Sequence, residues 1–196
     1  MLNAPACPPW RDQLRQATAA AHAALEATAL MRAVTEGVPG EAAYVAYLRG
    51  HWCVHAALEP LLAERLPSAW TSGRLAKTAW LEADLRALGA MVPAEPARPG
   101  ILENHNQALG ALYVLEGATL GLGVVGRRLA ATHPARQGAG RFMAAYGNES
   151  AARWSAFMQL LAAQEPAGLP AACAAAEATF GLFQRAFEPW RPADAA

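Results

Sequence analysis

The chain has 196 residues, with 16 basic and 16 acidic side chains and a formal net charge of zero, so it offers no basic surface for nucleic acid and no acidic tail. Hydrophobic residues make up 54%; alanine is abundant, Val and Ile are scarce, and prolines fall mostly between periodic segments, which predicts a single all-α domain able to bury a core without disulfides or metal. Cys7, Cys53 and Cys173 have no metal-ligand spacing, the N-terminus lacks a basic-then-apolar leader, and no apolar run approaches about 18 uncharged residues, so the expectation is a cytoplasmic protein with no membrane partner.

In chain order, residues 1–9, with Pro5, Pro8 and Pro9, read as a disordered lead-in. Trp10–Ala29 reads as a helix with the apolar stripe Leu14, Ala17, Ala21 and Leu25, and Leu30–Val34 as a short element ended by Gly37-Val38-Pro39-Gly40. Glu41–Leu66 carries Tyr44, Tyr47, Leu48, Trp52, Leu58, Leu61 and Leu62, with Pro60 expected to kink or split it. Arg74–Gly89 is amphipathic, and the linker with Pro93, Pro96 and Pro99 is too short to separate domains. A glycine-marked helix over Leu109–Ala131 stops at His133-Pro134, and Gln137-Gly138-Ala139-Gly140 opens a helix through Tyr146. Helices over Ser150–Ala163 and Pro170–Phe187 close the chain before Pro189 and Pro192. The expected architecture is one domain over 10–188, a bundle of about seven helices, followed by a frayed tail over 189–196.

The segment LGALYVLEGATLGLGVVGRRLAA places glycine at 110, 117, 121, 123 and 126. Each costs a helix about 1 kcal/mol relative to alanine, so something must require bare backbone. Gly110, Gly117 and Gly121 share one narrow face, which suits either a close-packed helix or a planar ligand. On the first helix Arg11, Arg15, Thr18 and His22 lie within about 60° of one another, bordered by Leu14, Ala21 and Leu25. An imidazole beside an apolar face with two guanidiniums on the same side would suit a heme, its iron on His22 and its propionates on the arginines. A rival metal pattern exists in His51, His55 and Glu59, spaced every fourth residue, although packing beside Trp52 explains the two histidines as well. A non-heme di-iron oxidase on this fold would require more carboxylates and a second E-x-x-H pattern than the chain has.

LRQATAAAHAALE over 14–26 and GALYVLEGATLG over 110–121, with YLRGHWCVHAALEPLL and FMAAYGNESAARWSAF in the expected order, resemble the bacterial biliverdin-producing heme oxygenases. The resemblance covers nearly the whole chain. It implies an all-helical fold with heme between a proximal and a distal helix, His22 as the proximal iron ligand, and Gly117 and Gly121 as distal glycines. It also matches Arg15 to a basic residue near a propionate; Arg11 and Thr18 come from the helical wheel alone. The implied reaction is oxidative opening of the heme ring at a meso carbon, giving biliverdin, carbon monoxide and iron, with heme as both substrate and cofactor. Dioxygen and an external electron donor, a reductase or ferredoxin, complete the scheme. A heme carrier without ring-opening activity is the non-enzymatic alternative.

The chain departs from the family at three places: Leu122 where a second glycine is common, Ala118 where an aspartate or serine is common, and Ala144 where an arginine is common, with Arg141 one turn earlier as its candidate substitute. On an ideal helix Leu122 lies about 100° from Gly121, at the margin of the bare stripe; a kinked helix would instead turn it toward the distal pocket. The marginal geometry is the one expected.

Overall fold

In the computed structural model, which describes residues 10–36, 40–99, 102–132 and 139–190, the helical periodicity is realised as nine α-helices, with no strand among the described residues. They are α1 (Trp10–Glu26), α2 (Ala29–Thr35), α3 (Glu41–Arg65), α4 (Ser68–Thr71), α5 (Lys77–Ala87), α6 (His105–Thr132), α7 (Arg141–Ala144), α8 (Ser150–Ala162) and α9 (Leu169–Phe187). The seven that exceed one turn all fall where helices or short elements are expected, α7 is a four-residue remnant of another expected helix, and the four-residue α4 is additional. The helix expected to run through Tyr146 is only α7, because Ala145 takes φ 48°, a left-handed conformation that breaks helical hydrogen bonding. Pro60 does not split α3. It lies on the exposed side, where the missing hydrogen bond is tolerated while Leu58 and Leu62 stay buried on the other side. The lead-in over 1–9, the break at Gly37-Val38-Pro39, the stop at His133-Pro134, the opening at Gln137-Gly138 and the tail from 191 lie outside the described residues.

α9 is the spine of the bundle. Ala172, Ala175, Ala176, Thr179, Phe180, Leu182, Phe183 and Phe187 are all buried on it, so it is apolar over most of its girth and needs neighbours on several sides. α1, α6 and α3 supply them, while α5 leans on α3 and α7 joins α5 to α6. Small residues set the closest approaches. Gly50 of α3 leaves the seat that the Phe187 ring occupies, and a Cβ on Gly110 of α6 would overlap the Ala172 carbonyl of α9. α6 and α9 therefore start side by side and advance together, Asn106 against Gly168 and Gly110 against Ala172. α1 runs along another flank of α9, with the Ala21 carbonyl accepting from Gln184 Nε2 at 3.4 Å. α1 and α6 share α9 and also touch α8, yet make little contact with each other.

Two carboxylates from neighbouring helices do the capping that local sequence leaves undone. Ala76 offers no side-chain cap to α5, and Glu59 of α3 accepts the backbone N–H groups of Lys77 and Thr78 at 2.9 and 3.2 Å. Asp84 of α5 accepts those of Arg141 and Phe142 at 2.9 and 2.8 Å, starting α7. Burial pushes the Asp84 carboxyl up, and these backbone donors oppose that.

Candidate functional site

The inward stripe of α1 consists of Leu14, Thr18 and Leu25, with Ala21 partly covered. Thr18 is buried where the pattern favoured Ala17; its hydroxyl donates to the Leu14 carbonyl at 2.7 Å, which removes the cost of burying it. Arg11, Arg15 and His22 fall on the exposed side of this helix. The His22 side chain is 56% exposed, and its ring stands edge-on to Phe180 of α9 at 5.5 Å between centroids. One turn on, Glu26 Oε2 lies 3.5 Å from His22 Nδ1. A carboxylate there favours the tautomer with the proton on Nδ1 and leaves the Nε2 lone pair available.

The glycine stripe of α6 divides. Gly110 serves close helix packing, whereas a Cβ on Gly117 would sit 3.6 Å from the Trp154 ring of α8 and one on Gly121 would meet nothing within 4 Å. Beside Gly121, Leu120 is 38% exposed, while Leu122 is 2% exposed and part of the core. The register along α9 decides what this open backbone faces. About 12 Å beyond the Gly110–Ala172 contact, at 1.5 Å per residue, stand Ala118 on α6 and Phe180 on α9. Gly117 and Gly121 thus flank the level at which His22 rests on Phe180. At the other end of α1, Arg11 and Arg15 act on the phenol of Tyr113 of α6; burial pushes that phenol up and the two guanidiniums oppose it. Tyr113 also packs on Trp154, with centroids 5.7 Å apart. α1 and α6 are thus joined through α9 and α8 rather than by packing on each other, with an imidazole and bare backbone toward one end and two guanidiniums acting on a phenol toward the other.

The structure thereby brings His22, Gly117 and Gly121 to one level and gathers Arg11 and Arg15 toward Tyr113. It buries two residues expected to line the cofactor, Leu122 in the core off the bare stripe and Thr18 on the covered face of α1. Arg141 is engaged elsewhere: its guanidinium lies 3.6 Å over the Trp80 ring of α5 and donates to the Ala145 carbonyl at 2.7 Å. Sequence reading missed Glu26, Tyr113, Trp154 and Phe180. Glu26 and Tyr113 carried a local signal, one turn after His22 and one turn before Gly117; Trp154 and Phe180 had none, because they come from other helices.

The His51, His55 and Glu59 stripe is buried in α3. His51 is enclosed by Tyr47, Phe142, Phe183 and Phe187 at centroid distances of 4.4, 4.8, 5.0 and 5.5 Å. Burial holds both imidazoles below their ordinary range, and Glu59, 3.3 Å from His55 Nδ1, is occupied by the start of α5. Among the described residues no three His, Cys, Asp or Glu side chains are placed to hold a metal.

Among the described residues no helix is long and apolar enough to cross a membrane. No curated protein matches the sequence. Two solved structures are similar in fold. A heme oxygenase from Leptospira interrogans superposes with a TM-score of 0.78 at 19% identity, covering 93% of this chain and all (100%) of the other. An NO- and CO-bound heme oxygenase from Neisseria meningitidis gives 0.72 at 20% identity, covering 97% of this chain and 98% of the other. At those identities the likeness speaks for the all-helical fold. The sequence itself matches the family model described as Heme oxygenase over residues 10–189, and with that span, the chain belongs to the heme oxygenase family of heme-degrading oxidoreductases.

Proposed function

We propose that the chain opens heme to biliverdin, carbon monoxide and iron, with heme as both substrate and cofactor, using dioxygen and electrons from a reductase or ferredoxin. The observation that carries this reading is exposed His22 resting on Phe180 of α9, with the bare Gly117–Gly121 backbone of α6, packed on the same helix, open beyond Trp154. The residues fit the group: a half-exposed imidazole for the iron, a backbone stripe with room above it for the ring, and cations for the propionates. When bound, heme supplies the iron that activates dioxygen and the ring carbon that is oxidised.

The protein's part is positional. His22 would hold the iron through Nε2, its ring steadied by Phe180 and Glu26. As a neutral imidazole, His22 would give a bound iron less electronic push than a cysteine thiolate would. Arg15 and Arg11, whose charges both act on Tyr113, would orient the propionates, each charge-assisted contact contributing roughly 1.5 to 3 kcal/mol when partly shielded. Gly117 and Gly121 would present backbone rather than side chain to the ring and leave room for it. Ala118 offers no acid or hydroxyl, so protons at that side are held by backbone groups and water.

Hemin titration tests the reading. Wild-type protein should develop a Soret band that decays to a biliverdin absorption on adding ascorbate or a reductase; a band that persists would mark a carrier. His22→Ala should lose the histidine-ligated ferric spectrum and turnover, with imidazole restoring part of both. A wild-type spectrum in His22→Ala together with an altered one in His51→Ala or His55→Ala would overturn the assignment. Arg15→Glu should weaken hemin binding or change the biliverdin isomer mixture, and no change in either would remove Arg15 from the site.

A further inference from the structure

Glu116, the residue before Gly117, takes no part in the site as described, yet it is 2% exposed and ionic. Its carboxylate gathers donors from three segments of the chain. Oε1 accepts from Lys77 Nζ of α5 at 2.8 Å and from the Tyr146 hydroxyl at 2.8 Å, and Oε2 accepts from the Arg74 guanidinium. The donors are themselves fixed. Lys77 Nζ also donates to the Arg74 carbonyl at 3.0 Å and to the Tyr146 hydroxyl at 2.7 Å, and Arg74 donates to the Arg153 carbonyl of α8 at 3.1 Å. The Lys77 backbone N–H is held by Glu59 of α3. Burial pushes the Glu116 carboxyl up, but Lys77 and Arg74 outweigh that and keep it an anion.

This arrangement answers a mechanical problem that the glycines create. Gly117 has only Trp154 within van der Waals reach and Gly121 has nothing, so the bare side of α6 has few side-chain contacts to hold it in place. Glycines also weaken the helix locally. Glu116 points about 100° round the helix from Gly117 and about 140° from Gly121, toward the back of the bare stripe. Charge-assisted bonds there are short and directional, as a fixed backbone position requires.

We propose that Glu116, held by Lys77, Arg74 and Tyr146, is a positioning residue that sets how far the Gly117–Gly121 backbone stands from the side occupied by His22. It acts through the backbone of α6 and touches no part of the ligand. Its role in turnover rests on the heme reading above; its mechanical role does not.

The test uses Tyr146→Phe, which removes one hydroxyl, and Glu116→Asp, which shortens the anchor by one methylene; Glu116→Gln is the charge-free companion. In heme-free protein, amide hydrogen exchange over residues 117–121 should quicken by about fivefold or more, while residues 106–112, pinned at Gly110, change less than about twofold. In protein loaded with hemin the dissociation constant should stay within about threefold of wild type, because α1 is untouched. The ferric spectrum should nevertheless shift its spin-state mixture, and single-turnover rate should fall. Should Glu116→Gln fail to fold, Tyr146→Phe decides. Exchange over 117–121 unchanged in both conservative variants, or raised equally along all of α6, would overturn the clamp. So would a wild-type ferric spectrum despite faster exchange. Failure of the wild-type protein to bind hemin would overturn the seat on which the clamp acts, and the heme-free exchange data separate that failure from failure of the clamp itself.

Discussion

At Gly110 the missing Cβ admits the Ala172 carbonyl, so the backbones of α6 and α9 meet; at Gly121 the missing Cβ faces open space, and Gly117 between them is in loose contact with Trp154. One residue type on one helical face thus answers two demands. The first half of α6 is stripped to reach another helix, and the second is stripped to leave room. What separates them is whether a partner helix lies in contact, and α9 and α6 are in contact at Gly110 while the far end of the stripe stands clear. Glycine spacing alone therefore does not distinguish a packing face from a ligand face.

Three experiments would break or sharpen this contrast. The largest effect is expected next to Gly121. Leu122 belongs to the packed side, so Leu122→Gly should cost about 3 to 5 kcal/mol from lost burial and added backbone freedom. It should not speed heme breakdown, because the side chain does not occupy the open space. A variant that keeps wild-type stability and degrades heme several-fold faster in single turnover would show that Leu122 faces the site after all.

Within the stripe itself, alanine at the two ends should act with opposite signs. Gly110→Ala forces α6 away from α9 and should cost about 3 kcal/mol in chemical denaturation. Gly121→Ala meets nothing, so heme-free protein should gain about 1 kcal/mol from helix propensity while hemin affinity or turnover falls. Equal losses of stability at both positions would erase the distinction between the two halves.

The smallest effect concerns the histidines of the packed side. His51 and His55 are held below their ordinary value of 6.5 by burial. Below that value the unfolded chain binds protons that the folded chain refuses, so stability should fall as pH drops from 7 toward 5. The limit is about 1.4 kcal/mol per pH unit for each histidine. Glu59 and Glu116, whose carboxyls the fold holds below their ordinary 4.5, add a further loss only at lower pH. His51→Gln should flatten the slope between pH 7 and 5. A melting temperature equal at both pH values in the wild type would contradict the burial of these rings as neutral groups.

Helix periodicity and its interruptions depend on residues a few positions apart, so they were readable without the fold. The last helix, expected from Pro170, starts at Leu169, and the end at Phe187 agrees. Single turns such as α4 escape that reading, because the four residues Ser68–Thr71 are too few to show a period. At the site, His22 with Arg11 and Arg15 was legible because all three stand on one helix, and the glycine stripe was legible as an anomaly of composition. Which part of that stripe packs and which stays open was not, since the answer lies in α9, some sixty positions further along the chain.

By itself, then, the sequence determined the helices longer than a turn and the family, and it singled out an imidazole-bearing helix and a glycine-bearing one. Only the tertiary structure decided that both pack on α9, that Leu122 turns inward, and that Arg141 is held over Trp80. It alone also revealed Glu116, whose significance rests on donors from α5, the segment before it and the turn after α7. The physical reason is range: helix formation is a local equilibrium, whereas the burial of a charge, a close backbone approach or an open face exists only once distant segments have come together.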